Sequence, residues 1–309
     1  MIIDLPDTTA AQVQRRLVSA REEGGAVALG RVLTLLIHTP SRMEEEAILA
    51  ANEASREHPM RIVVVTQPDD SASSSGLSAQ IRLGGDAGAS EVVVLRPRGD
   101  SATSLPGLVN GLLLPDTPVV TWWPGQCPEC MAETELGQIS QRRILDSQSL
   151  GTGVDGLASV AGGYRPGDTD LAWGRITGWR TQLAATLDYL PVSSISRVEV
   201  AGVPENPSVA LLAGWLAMSL DQTVVLDPSA PEGIGGVYSV TLDTPQGTIS
   251  LTRTDEQTVL LAVPGQPEFS LFLPRRGLSS LMAEELRRFS PDTVYGRVLT
   301  EGIGMLVAK

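Results

Sequence analysis

The chain has 309 residues and a formal net charge of -13, too long for one hydrophobic core of ordinary size and too acidic to recruit phosphate backbones or anionic lipid. Two domains are therefore expected, with neither nucleic acid nor membrane as a partner. Only Cys127 and Cys130 are present, and the start MIIDLPDTTA has no basic region followed by an apolar run, so a cytoplasmic protein without signal peptide or structural disulfides is expected.

In chain order, Pro6-Asp7-Thr8-Thr9 predicts a threonine-capped first helix with Val13, Leu17 and Ala20 on its inner face, stopped by Gly24 and Gly25. Arg31 to Ile37 predicts a strand, Ser41 to Glu44 a capping box opening a helix to Arg56, and Arg61 to Thr66 a second strand. That succession implies a right-handed parallel crossover. Pro68 to Gly76 is too polar to be anything but a surface loop. Strands follow near Leu77 to Leu83 and Glu91 to Leu95, then a helix from Leu105 to Leu113 and a strand from Val119 to Trp123.

Glycines thicken between Gly151 and Gly167, which predicts an N-terminal domain over 1–150, a connector over 151–168 and a C-terminal domain over 169–309. Asp170 is the expected N-cap of a helix with Pro191 just past its end, with Ala172, Ile176, Trp179, Leu183, Leu187 and Leu190 as its core stripe and Trp173 and Arg180 on a free shoulder. Beyond it come strand Arg197 to Ala201, helix Pro207 to Leu220 and strand Thr223 to Leu226. A meander follows over Val237 to Leu242, Thr248 to Thr252, Thr258 to Ala262 and Phe269 to Leu273, and then a helix from Leu278 to Phe289. The apolar run from Ser208 to Leu220 is about 13 residues where about 20 span a bilayer, hence a buried helix. The fold class is α/β with mixed sheets. EVVVLRPR at Glu91 and EFSLFLPRR at Glu268 suggest two related domains, each a strand-helix-strand followed by antiparallel strands and a helix.

GTGVDG at Gly151 to Gly156 fits a phosphate-binding glycine pattern but lacks a strand-helix frame, so a connector is the preferred reading. Cys127-Pro128-Glu129-Cys130 has the spacing for a disulfide or a shared metal. With just His38 and His58 in the chain zinc lacks ligands, which leaves a reversible redox pair or two ordinary loop thiols. No catalytic nucleophile, cofactor motif or metal motif is visible, and His38 is the lone side chain with a candidate chemical role. Trp122, Trp123, Arg142 and Arg143 in one segment, and Trp173, Arg175 and Arg180 with Trp179 in another, have the composition of protein-binding hot spots. Adjacent strand residues face opposite ways, so one of Trp122 and Trp123 is expected at the surface, whereas Trp179 and Trp215 are expected in the core.

The segments REEGGAVALGRVLTLLI, ANEASREHPMRIVVV, LLLPDTPVVTWWPG, QRRILDS, DLAWGRITGWR and ALLAGWLA resemble, in order, the glucose-6-phosphate dehydrogenase assembly protein family, OpcA, of actinobacterial type. The resemblance implies a non-enzymatic partner of glucose-6-phosphate dehydrogenase that promotes its active, assembled form. It transfers no catalytic residues and no role for Cys127 and Cys130. The competing expectation is a sugar-phosphate or nucleotide-binding enzyme or sensor, with the arginines on phosphate and His38 as acid or base.

Overall fold

A computed structural model describes residues 1–23, 30–68, 75–84, 91–151, 153–188 and 194–309. The chain first forms β1 (Ile2–Thr8), α1 (Ala10–Glu23), β2 (Leu33–Thr39), α2 (Glu44–Ala54), β3 (Met60–Thr66), β4 (Gly76–Arg82), β5 (Glu91–Arg98), α3 (Leu105–Val109), β6 (Val119–Trp123), α4 (Glu135–Gln138) and β7 (Arg142–Leu145). It continues through α5 (Gly153–Gly163), β8 (Asp168–Asp170), α6 (Leu171–Arg175), α7 (Thr177–Leu187), β9 (Arg197–Gly202), α8 (Pro207–Leu220) and β10 (Val224–Asp227). The last elements are β11 (Val237–Thr244), β12 (Gly247–Arg253), β13 (Thr258–Ala262), β14 (Phe269–Phe272), α9 (Leu278–Glu285), α10 (Thr293–Arg297) and β15 (Leu306–Ala308).

Two compact units emerge, and the chain weaves between them. The first unit holds Met1–Asp146, Gly167–Thr169 and Leu278–Pro291; the second holds Ser147–Pro166, Asp170–Gly277 and Asp292–Lys309. The whole of α9 therefore belongs with residues far upstream. The expected connector 151–168 contains α5, whose Leu157 is fully buried: the regular apolar spacing outweighed the low helix propensity of its glycines.

The first unit is built on a mixed sheet of order β1-β4-β5-β3-β2-β6-β7-β8. β2 lies parallel between β3 and β6, and β5 and β7 extend the parallel set. Every residue of β3 and of β6 is buried, as befits strands covered on both faces. β4 and β1 add antiparallel strands at one side. Thr9 Oγ1 accepts from the amide of Gln12 at 3.3 Å, and Val13, Leu17 and Ala20 are buried as expected. Gly24 and Gly25, most of the loop after Pro68, and Leu190 and Pro191 lie outside the described residues. The expected capping box at Ser41 does not form. A 3-10 turn over Ser41–Met43 makes no side-chain cap, because the Glu44 carboxylate is bound by Arg96 Nε at 2.9 Å instead.

In the second unit β9, α8 and β10 form the expected crossover, with β15 parallel on the far side of β10 and the meander β11-β12-β13-β14 antiparallel beyond β9. Asn206 caps α8 by accepting from Ser208 N at 3.0 Å, Pro207 fits the first turn, and Asp221 ends it at φ 51°. α8 is apolar nearly all round and is buried nearly all round. Asp170 caps the next helix as expected, accepting from Ala172 N at 2.8 Å, but the helix breaks at Ile176 into α6 and α7.

Both units are mixed α/β with a strand-helix-strand core, yet their added strands attach differently. In the first, antiparallel strands extend beyond β3, the strand that leaves the crossover. In the second they extend beyond β9, the strand that enters it. EVVVLRPR is accordingly interior β5, whereas EFSLFLPRR contains β14, an exposed sheet edge. No helix among the described residues is long and apolar enough to cross a membrane.

Candidate functional site

In a parallel sheet the chain leaves a crevice where successive connections depart in opposite directions, outside the carboxyl ends of the strands. Here that point lies between β2 and β6: from β2 the chain crosses to β3 on one side and later returns to place β6 on the other. A cleft of about 330 Å³ opens there, lined by His38 near the end of β2, Trp123 at the end of β6, Gln126 and Cys127 just beyond, and Glu135 opening α4.

Short local structures hold these groups. Gln126 donates to the His38 carbonyl at 3.1 Å and accepts from Gln67. Thr134 Oγ1 accepts from Gly137 N at 3.0 Å and donates to the Met131 carbonyl at 2.7 Å. A Cβ at Gly137 would lie 1.8 Å from that same carbonyl, so the turn requires glycine. Glu135 Oε2 accepts from the amide of Leu105 at 3.0 Å. Cys127 and Cys130 are half-buried and not disulfide-bonded.

The lining is mostly apolar and includes no arginine or lysine. Nothing in it would neutralise a phosphate, and the Glu135 carboxylate would repel one. No group of three or more His, Cys, Asp or Glu side chains that could hold a metal occurs among the described residues.

Burial lowers the His38 pKa from its ordinary value of 6.5. The unfolded chain therefore takes up a proton first, so stability contributed by His38 is present above about pH 6.5 and is lost as pH falls toward its folded pKa. His38→Asn is expected to flatten the fall of melting temperature as pH drops below about 6.5. Parallel profiles for the two proteins would show that His38 is not the group responsible.

The tryptophan-arginine residues are not a surface. Trp122 and Trp123 are 1% and 2% exposed, which corrects the expectation that one of them is available: β6 is an interior parallel strand with both faces covered. Arg142 donates to Glu285 Oε2 at 2.5 Å and to the Ser290 carbonyl at 2.9 Å. Arg143 donates to Asp168 Oδ1 at 2.5 Å and to the Ser140 carbonyl at 3.1 Å. Both arginines are buried within the first unit. Trp173, expected on a free shoulder, is buried; its indole N–H donates to Asp292 at 2.9 Å, and the Arg180 guanidinium stacks 3.5 Å from its ring centroid. Of the seven residues only Arg175 and Arg180 keep partial exposure. Trp179 is core as expected, whereas Trp215 is half-buried.

GTGVDG serves packing. α5 begins at Gly153, whose φ is +54°, and a Cβ there would sit 2.5 Å from the Pro204 carbonyl. The carboxylates that matter most, Glu91, Asp168, Glu285 and Asp292, had no local motif to mark them. The one available signal is Glu91, a charge opening the apolar run EVVVL, where a buried pair is the usual way to bury it.

Among curated proteins none matches the chain. Residues 51–161 match a family model for the N-terminal domain of a glucose-6-phosphate dehydrogenase subunit, and residues 166–299 match the model for its C-terminal domain.

Proposed function

We propose, from the premise that this chain belongs to the glucose-6-phosphate dehydrogenase assembly protein family (OpcA), that it is a non-catalytic partner which binds glucose-6-phosphate dehydrogenase and favours its active oligomeric form. The observation that carries this reading is the match of both halves of the chain, in order, to the two domain models of the family. Such a partner acts only through unequal affinity for two states of its target. A difference of about 1 to 3 kcal/mol corresponds to a shift of about 5 to 150-fold in the linked equilibrium.

The rival reading, an enzyme or sensor holding phosphate on its arginines, loses its main support. Arg142 and Arg143 are already paired with carboxylates inside the first unit, and the cleft beside His38 offers no cation. Trp122, Trp123, Arg142 and Arg143 are themselves buried, so the proposed partner contact is sought on other residues.

The test is dehydrogenase kinetics and oligomer size with and without this chain, under reducing and oxidising conditions. Higher activity together with a larger assembly supports the proposal, and dependence on oxidation would assign the half-buried Cys127 and Cys130 a regulatory role. Unchanged kinetics and size under every condition, or turnover of glucose 6-phosphate by this chain alone, would refute it.

A further inference from the structure

Sheet edges present unpaired backbone groups, and proteins blunt them with charge, proline or brevity. Among the described residues, three of the four sheet edges are blunted. β1 contains Asp4, Pro6 and Asp7, and β8 and β15 are three residues each. β14 is different: its sequence Phe-Ser-Leu-Phe carries no charge and no proline, and Phe269 and Phe272 are 46% and 74% exposed. An uncharged, aromatic, open edge of this kind marks an association surface.

The backbone pattern says how it can pair. Leu273 N donates to the Gln257 carbonyl on the β13 side at 2.7 Å, in line with the register Phe272 to Thr258 and Leu271 to Val259. Antiparallel alternation then directs the N–H and C=O of Leu271 and Phe269 toward β13, and those of Ser270 and Phe272 toward the open side. Val259 is fully buried, so its partner Leu271, with Phe269, stands on the inner face, and Ser270 and Phe272 stand on the outer one.

We propose that β14 pairs antiparallel with β14 of a second copy of this chain, about a two-fold axis through Leu271. In that register Ser270 of each copy lies opposite Phe272 of the other, and each such pair exchanges both of its outward N–H···O bonds. Leu271 meets its own counterpart at the axis, Phe269 lies opposite Leu273, and the two Phe272 rings are diagonal neighbours within aromatic reach. Every cross-strand pair is thus apolar or satisfied, which is the self-complementarity an isologous interface requires. Pro267 and Pro274 confine the pairing to this short stretch.

The charges at the ends agree. Glu268 of one copy falls beside Pro274 of the other, next to Arg275, an exposed cation with no ion pair among the described residues. Opposite signs therefore meet at both ends of the strand pair, in a chain whose net charge of -13 otherwise resists self-association. A four-residue edge is small beside the roughly 1,600 Å² of a standard interface, so the dimer is concentration-dependent.

Sedimentation velocity of the full chain, from low micromolar to hundreds of micromolar, tests this. The unaltered chain is expected to shift toward twice its monomer mass as concentration rises. Ser270→Pro removes an outward N–H without touching a bond to β13, and Phe272→Lys puts two like charges side by side; both are expected to stay monomeric throughout. Circular dichroism melts confirm that each variant is folded, and Phe272→Lys, which leaves the backbone intact, carries the test if Ser270→Pro is not. A monomeric unaltered chain, or folded variants that dimerise as it does, would overturn the proposal. So would an unaltered chain that stays monomeric while Phe272→Lys abolishes co-elution with the dehydrogenase, which would give this edge to that partner.

Discussion

Glu91→Gln will lower the stability of the first unit by about 3 to 5 kcal/mol, the usual cost of leaving buried charge without its partner. Glu91 opens β5 with a side chain only 3% exposed, and its carboxylate gathers Arg21, Arg31 and Arg61, with Arg61 Nε at 3.1 Å and Arg31 at 2.5 Å. Burial works against its ionisation, but the hydrogen bond from Arg21 and the charges of Arg61 and Arg31 outweigh it and hold the carboxyl below its ordinary value. Burial in turn lowers Arg61 to about 10. Glutamine accepts through one oxygen only, turns an amide N–H₂ donor toward the other donors, and leaves three guanidiniums facing one another without a counter-charge. Because the folded-state pKa of Glu91 is depressed, its stabilisation is present above the unfolded carboxylate value, about pH 4.5, and is lost as pH falls through the folded one. Urea midpoints at neutral pH are the readout, and a loss below about 1 kcal/mol, the worth of a surface pair, would remove Glu91 as the centre of this cluster.

Glu285→Ala carries an effect of similar size for the same reason at a second buried pair. Glu285 lies at the end of α9, buried, and its Oε2 accepts from Arg142 at 2.5 Å and from Thr169 Oγ1 at 3.0 Å. Removing it takes the carboxylate from Arg142, itself 5% exposed, and leaves that guanidinium on the neutral carbonyl of Ser290. A loss of about 3 to 5 kcal/mol is expected for Glu285→Ala or Arg142→Ala alone, and far less than their sum for the double substitution. Additive, small losses would show that the pair does not hold α9. The same geometry governs how binding experiments are read: reversing charge at Arg142 and Arg143 acts on the fold first, so a lost complex would not locate an interface.

What the sequence made legible follows from where the information sits. α8 was readable end to end because Asn206, Pro207 and Asp221 bracket an unbroken apolar run, and β6 and the meander because β-branched runs stand between turn residues. β1 was not, since Pro6 and Asp7 disguise an edge strand as a helix entry. β7 was not, since RRIL looks like surface until two distant carboxylates enter the account. Arg142 finds its partner 143 residues away, and no spacing rule spans that distance. The cleft was half-legible: His38, Trp123 and the CPEC loop stood out as residues, but their convergence depends on β2 and β6 being neighbours, which is a property of strand order.

The interleaved chain also sets an order of events at the ribosome. During synthesis β1 through β7 emerge first, yet Arg142 has no Glu285 and α2 has no α9 until Leu278–Pro291 has also been made. The unit that is begun first is therefore not completed until α9 is made, and from residue 142 to residue 285 it carries an arginine without its carboxylate and a helix face without its cover. Long-range closure of this kind is slow, so a chain cut before residue 278 is expected to leave the α9-facing side of α2 uncovered, whatever the finished protein goes on to bind.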